Sequence, residues 1–249
     1  MYGARMVDRE AEQSRDVKTA ILEAAETVFA VYGFHGATTR AIAEEADVNL
    51  AMIHYHFGSK EQLHEKILTT RAGQLVARRL ELLDAALANP KTLTSDGVLD
   101  ALMRPLYEFA QADPVGARHY ALLANQLVSG ADERSRRMAA DLFDELGRRF
   151  SLAFEKSLPA LGRINAVWAY QYAIALGTQM LVRTERANRL AGNSHAAGLD
   201  QSYRITFQLL SSGIRALTEL PRKTRRKTPA RPAAGAKKAK AKAKATANR

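Results

Sequence analysis

The apolar side chains recur at three- or four-residue spacing in each long segment of the first 220 residues, and no stretch reads convincingly as a strand. That period commits the chain to helices. Between residues 17 and 32 the apolar positions are Ile21, Leu22, Ala25, Val28, Phe29 and Tyr32, and Gly33 follows as a stop. The segment from Thr38 to Ala46 reads as a short second helix opening on threonines, Asp47, Val48 and Asn49 as a tight turn, and Leu50 to Phe57 as a third helix. Ser59-Lys60-Glu61-Gln62 has the form of a capping box and starts a long helix that Asn89-Pro90 ends near Ala88.

The rest of the chain punctuates itself in the same way. A helix covers Leu99 to Phe109, and Asp113-Pro114 offers a cap and a first-turn proline for another through Val128. Met138, Leu142, Leu146, Phe150 and Phe154 mark one face of a helix over 131 to 157, which Pro159 breaks. Two more helices, 165 to 186 and 202 to 220, flank a loop at about 188 to 200. The expected fold is all-α, with about nine helices.

Charge has to be located before it is interpreted. The net charge is +11, but 12 Lys and Arg and no acid lie between Pro221 and Arg249, leaving 25 bases against 26 acids in residues 1–220. The body is near neutral, and the tail, with nothing to bury, is expected to be disordered. The expected division is a flexible start at 1–14, a helix-turn-helix domain at 15–75, a helical domain at 76–220 and the basic tail at 221–249.

Several chemistries are excluded. The chain has no cysteine, which removes disulfides, thiolate metal sites and thiol nucleophiles. His54 and His56, two apart on a helix, point to different faces, so no metal is expected there. No phosphate-binding loop, dinucleotide fingerprint or nucleophile elbow occurs, and pairs such as Glu44-Glu45 read as solvated helix surface, so neither an enzyme nor a cofactor is expected. There is no apolar run long enough to span a membrane, and the polar N-terminal stretch lacks the core of a secretion signal. The cytoplasm is the expected location.

Two short helices joined by a three-residue turn on a supporting helix form the geometry that sets one helix into the DNA major groove. Ile42, Ala43, Ala46, Val48, Ile53 and Phe57 supply an inner face. Asn49, Leu50, Ala51, Met52 and His54 offer hydrogen-bonding and apolar groups to base edges. Thr38, Thr39, Arg40, Tyr55, His56 and Lys60 are placed for backbone phosphates.

The stretch TTRAIAEEADVNLAMIHYHFGSKEQL resembles the TetR/AcrR family of transcriptional regulators in Ile42-Ala43, Ala46-Asp47-Val48, Tyr55-His56-Phe57 and Lys60 with Leu63, and the likeness covers residues 17 to 68. The resemblance implies phosphate clamping by Thr39, Tyr55, His56 and Lys60, groove contacts by Leu50 to His54, and a homodimer on operator DNA. Asp47 stands where the family usually has glycine, and aspartate tolerates a left-handed backbone. Farther on, Arg104-Pro105-Leu106, His119 to Leu123 and Leu142 to Glu145 are similar to a subgroup of which some members respond to fatty acids or acyl-CoA.

Large side chains on the middle helices admit two readings, a filled core or a mostly apolar cavity for a small effector. The residues are Met103, Leu106, Tyr107, Phe109, Leu123, Leu127, Phe143, Trp168, Tyr172, Leu176 and Met180, with Tyr107, Asn125, Gln126 and Tyr172 as polar groups that could orient a ligand. Trp168, Ala175, Phe207, Leu210, Ile214 and Leu217 could pair with a second copy or pack within one chain, and the resemblance favours the pair. The expected function is thus a ligand-responsive regulator, a repressor released from a palindromic operator by a lipophilic effector. An alternative is an architectural DNA-coating protein whose affinity comes from the tail.

Overall fold

A computed structural model describes residues 2–182, 184–192 and 198–220. The tail at 221–249 and part of the 188–200 loop lie outside the described residues. Among the described residues there are ten α-helices and no strand: α1 (Tyr2–Gly36), α2 (Thr39–Glu45), α3 (Leu50–Phe57), α4 (Lys60–Leu87), α5 (Ser95–Ala112), α6 (Pro114–Ser129), α7 (Glu133–Ser157), α8 (Gly162–Val182), α9 (Thr184–Leu190) and α10 (Leu199–Ala216).

Two elements depart from expectation. Helix α1 runs back to Tyr2, through the segment expected to be a flexible start, in a stretch where neither Gly nor Pro interrupts the chain between Ala4 and Tyr32. The helix expected over 165 to 186 divides into α8 and α9, which makes ten rather than nine.

The local signals act as capping chemistry requires. Thr38 Oγ1 accepts from Ala41 N at 3.1 Å, and Asn49 Oδ1 from Ala51 N at 2.9 Å. At α4, Ser59 Oγ accepts from Gln62 N at 3.2 Å while Gln62 Oε1 accepts from Ser59 N at 2.9 Å. Asp113 Oδ1 caps α6 through Gly116 N at 2.8 Å. Gly33 has φ 70°, which breaks the helical path at the end of α1, and Asp47 takes φ 51° in the turn between α2 and α3.

Three apolar clusters run through the described residues between Val17 and Leu217. The first packs α1 to α4 around Phe29, Ile42, Ile53 and Leu63, each fully buried and contributing about 2 kcal/mol by removal from water. Leu123 and Leu127 of α6 and Met138 of α7 belong to this same cluster. A second joins Leu83, Leu102, Phe150, Phe154 and Ile214 from α4, α5, α7 and α10, and a third links Leu75, Leu106 and Tyr120 between them. Residue 75, where the sequence suggested a boundary, lies inside the unbroken α4, so one helix serves both regions.

Candidate nucleic-acid interface and cavity

Helix α3 has one face locked and one open. Ile53 is fully buried between α1, α2 and α4, and Met52, His56 and Phe57 are half-buried beside it. Leu50, Ala51, His54 and Tyr55 are exposed, Tyr55 to 80%. A shallow groove on one side gathers Thr38, Thr39, His54, Ser59 and Lys60; another on the other side gathers His54, Tyr55, His56, Lys18 and Lys66. The first of these brings together Thr38, Thr39 and Lys60, and the second holds Tyr55 and His56, all placed against phosphates by the sequence; the second also adds two bases, Lys18 of α1 and Lys66 of α4, that sequence reasoning passed over. Their only signal was position, on helices flanking α3.

Several expected contacts are committed elsewhere. Lys60 turns inward: its Nζ donates to the carbonyls of Phe34 and Ala37 at 3.0 Å each and stands 4.6 Å from the Phe34 ring centroid. It fastens the end of α1 and the loop to α2, a role that the sequence did not suggest. Asn49 caps α3 through Oδ1, and the exposed Arg40 pairs with Glu44 at 3.0 Å. Met52 packs into the cluster under α3 rather than standing free for base edges. The Nε2 of His56 is buried and without a hydrogen-bond partner among the described residues.

Behind this head, His64 is buried against Phe29 and Phe34, with ring centroids 4.8 and 5.0 Å away. Burial, then the charges of Arg134 and Lys60, push its pKa down to about 4, so the ring is neutral near pH 7.

A cavity of about 670 Å³ opens between α4, α6, α7 and α8. Its apolar wall includes Ala124, Val128, Ala139, Phe143, Val167 and Ile174; Arg79, Tyr120, Asn125, Tyr170 and Thr178 bring polar groups. Of the residues expected to line a cavity, Phe143 and Asn125 do. Met103, Leu106, Leu123, Leu127 and Met180 are buried, the first four of them in the three apolar clusters, because their positions face tightly packed neighbours. Tyr107 instead donates to Asp200 Oδ1 at 2.7 Å, and Gln126 Nε2 donates to the Ala30 carbonyl at 3.2 Å. Trp168, Tyr172 and Leu176 point away from the cavity to the surface of α8.

That surface is a second site of interest. Ile164, Trp168, Tyr172 and Leu176, spaced four apart, form an exposed apolar stripe along α8, with Trp168 stacked on Tyr172 at 5.5 Å. Ile205 and Leu209 are exposed on α10, whereas Leu210 and Ile214 are buried inward and Phe207 packs against the same inner cluster. The outward face of α10 is therefore not the one the sequence suggested.

The chain matches two family models, described as "Bacterial regulatory proteins, tetR family" over residues 21–67 and "Tetracyclin repressor-like, C-terminal domain" over residues 100–213. It is 32% identical over 73 residues to the HTH-type transcriptional regulator UidR of Escherichia coli (strain K12), covering 29% of this chain and 37% of that protein. It is 30% identical over 117 residues to the HTH-type transcriptional repressor KstR2 of Rhodococcus jostii (strain RHA1), covering 47% of this chain and 53% of that protein. The match thus spans about half or less of these relatives' length. The fold is similar to the crystal structure of the transcriptional regulator FadR from Bacillus subtilis in complex with stearoyl-CoA, with a TM-score of 0.56 at 16% identity over 79% of this chain and 98% of that one.

Proposed function

Because the chain belongs to the tetR family of bacterial regulatory proteins, we propose that it is a ligand-responsive regulator of transcription that reads a palindromic operator as a homodimer. The family and the matched relatives are regulators of transcription, not enzymes. The observation that carries the reading is α3 itself: its inner face is fixed by Ile53, and its outer face leaves Leu50, Ala51, His54 and Tyr55 open between two grooves that carry Thr39 and Lys18. Leu50 and Ala51 suit thymine methyls, and Thr38, Thr39, Arg40, Tyr55, Lys18 and Lys66 suit phosphates.

Dimerisation rests on α8. A helix apolar on both sides needs two partners: its inner side has Ala166, Ala169 and Ala173 in the core, and the stripe from Ile164 to Leu176 is left for a second copy. The effector is a small lipophilic molecule, of the fatty-acid or acyl-CoA kind or another, held in the cavity between α4, α6, α7 and α8, and its binding releases the operator. Among the described residues no helix is long and apolar enough to cross a membrane, and the cytoplasm is the proposed location.

Selection of bound sequences from random DNA tests this reading. A two-fold-symmetric site bound roughly a thousandfold tighter than random DNA supports it. Equal affinity for all sequences would sink it and return the DNA-coating alternative.

A further inference from the structure

Helix α4 carries a charge where its register calls for a hydrophobe. Leu75, Arg79 and Leu83 lie four apart on one face, all three buried, and Arg79 is only 4% exposed. A buried cation is costly unless an anion accompanies it. Arg79 Nε donates to the Leu102 carbonyl at 2.8 Å, one step on from the carbonyl whose usual helical donor Pro105 lacks. That bond occupies Nε, a side-chain hydrogen bond joins the guanidinium to the Tyr120 hydroxyl, and among the described residues no carboxylate pairs with it.

The other arginines around the cavity differ. Arg136 pairs with Glu133 at 3.1 Å, Arg148 with Glu145 at 3.0 Å and Arg163 with Glu155 at 3.2 Å, each at the exposed rim. Arg79 alone among these four is both buried and without an acid. Two tyrosines of the cavity wall sense it: its charge acts on the hydroxyls of Tyr120 and Tyr170, while burial pushes both up, Tyr170 to about 12. Both therefore stay protonated at neutral pH and can donate. The one acid on the wall, Asp144, is exposed on α7 and also acts on Tyr170. The inner end of the cavity is thus cationic and rich in donors.

We propose that the cavity binds an apolar monocarboxylate as the free acid anion, with its carboxylate on the Nη groups of Arg79 and the Tyr120 and Tyr170 hydroxyls. Its hydrocarbon lies against Ala124, Val128, Phe143 and Ile174. This rests on the effector reading above and narrows it: the thioester group at the end of the same chain is itself uncharged and offers the buried guanidinium no carboxylate. Bidentate guanidinium–carboxylate pairing adds direction as well as energy.

Calorimetric titration of the full-length protein with alkanoates from octanoate to stearate, the matching alkanols and the matching coenzyme A thioesters tests the proposal. The expected result is that the best alkanoate binds roughly tenfold or more tightly than its alkanol and its thioester. In Arg79→Met the alkanoate should fall to the alkanol's affinity while the alkanol keeps its own. If Arg79→Met does not fold, the acid–alcohol comparison on the unchanged protein still decides. Equal binding of acid and alcohol, or tighter binding of the thioester, overturns the carboxylate assignment but leaves the lipophilic effector reading standing. No binding by any of the three series overturns both.

Discussion

The Arg134 guanidinium lies 4.4 Å from the centroid of the Phe34 ring. Arg134 stands in the first turn of α7 and Phe34 at the end of α1, and Arg134 Nη2 also donates to the Glu61 carbonyl at 3.1 Å. Beside it, Gln126 of α6 holds the Ala30 carbonyl. Other residues of α6 and α7 line the cavity, among them Asn125, Val128, Ala139 and Phe143. The two helices thus touch both the cavity and the head formed by α1 to α4.

Replacing Arg134 by alanine removes the contact with Phe34 and the bond to Glu61. Urea unfolding should show a loss of roughly 1 to 2 kcal/mol. The same variant removes a positive charge near His64, so the ring-proton titration of that histidine should move upward by NMR. An unmoved His64 titration would mean that Arg134 does not act on the ring.

Lys60 separates fastening from DNA contact. Lys60→Met strips two carbonyls, Phe34 and Ala37, of their donor and should lower stability by roughly 1 to 3 kcal/mol while leaving the salt dependence of operator affinity unchanged. Lys18→Ala and Lys66→Ala should do the reverse, each reducing the slope of log affinity against log salt by about 1 with little effect on stability. A reduced slope in Lys60→Met would support its reading as a phosphate clamp.

Leu50 and Tyr55 should fail differently. Leu50→Ala is expected to relax preference at one base position, with the penalty for a mismatch there dropping roughly tenfold, as an apolar base-edge contact predicts. Tyr55→Phe should weaken all sequences alike, since a phosphate contact carries no base information. Competition binding against single-substitution operators distinguishes the two patterns.

Acid should loosen the head through His64. The ring's pKa is lowered in the fold to about 4 from an ordinary 6.5, so the unfolded chain binds the proton more readily and stability falls as pH drops from about 6.5 toward 4. Below that window this group adds no further slope. In His64→Leu the melting temperature should depend less on pH across this range, and an unchanged dependence would exclude the histidine as its source.

Trp168 is exposed to 50% in one chain and sits mid-stripe on α8. Trp168→Glu places a charge where a second copy should pack and is expected to convert the dimer to monomer in sedimentation equilibrium, with operator affinity falling with it. A dimer that persists would move the interface off α8.

The features that could be read from sequence are those decided within one helical turn. The caps at Thr38, Ser59 and Asp113 each need only a side chain and a backbone N–H three residues on, so local chemistry suffices. The left-handed turn at Asp47 is legible for the same reason. The orientation of Lys60 is not, because its partners lie more than twenty residues back and meet it only once α1, α2 and α4 pack. The cavity was hardest: periodicity says that Leu106 and Leu123 face inward, but not that their neighbours fill the space while those of Phe143 leave it open. Arg79 did leave a trace, a base interrupting the Leu75-to-Leu83 stripe.

Because α4 is unbroken from Lys60 to Leu87, any change in its direction is carried along its whole length. At about 1.5 Å per residue, Arg79 and the start of the helix are roughly 28 Å from each other, so a tilt of only about 5° pivoting near Arg79 swings the Lys60 end by roughly 2.5 Å. Residues close to the pivot move by a small fraction of that distance, so the start of the helix carries nearly all of the displacement.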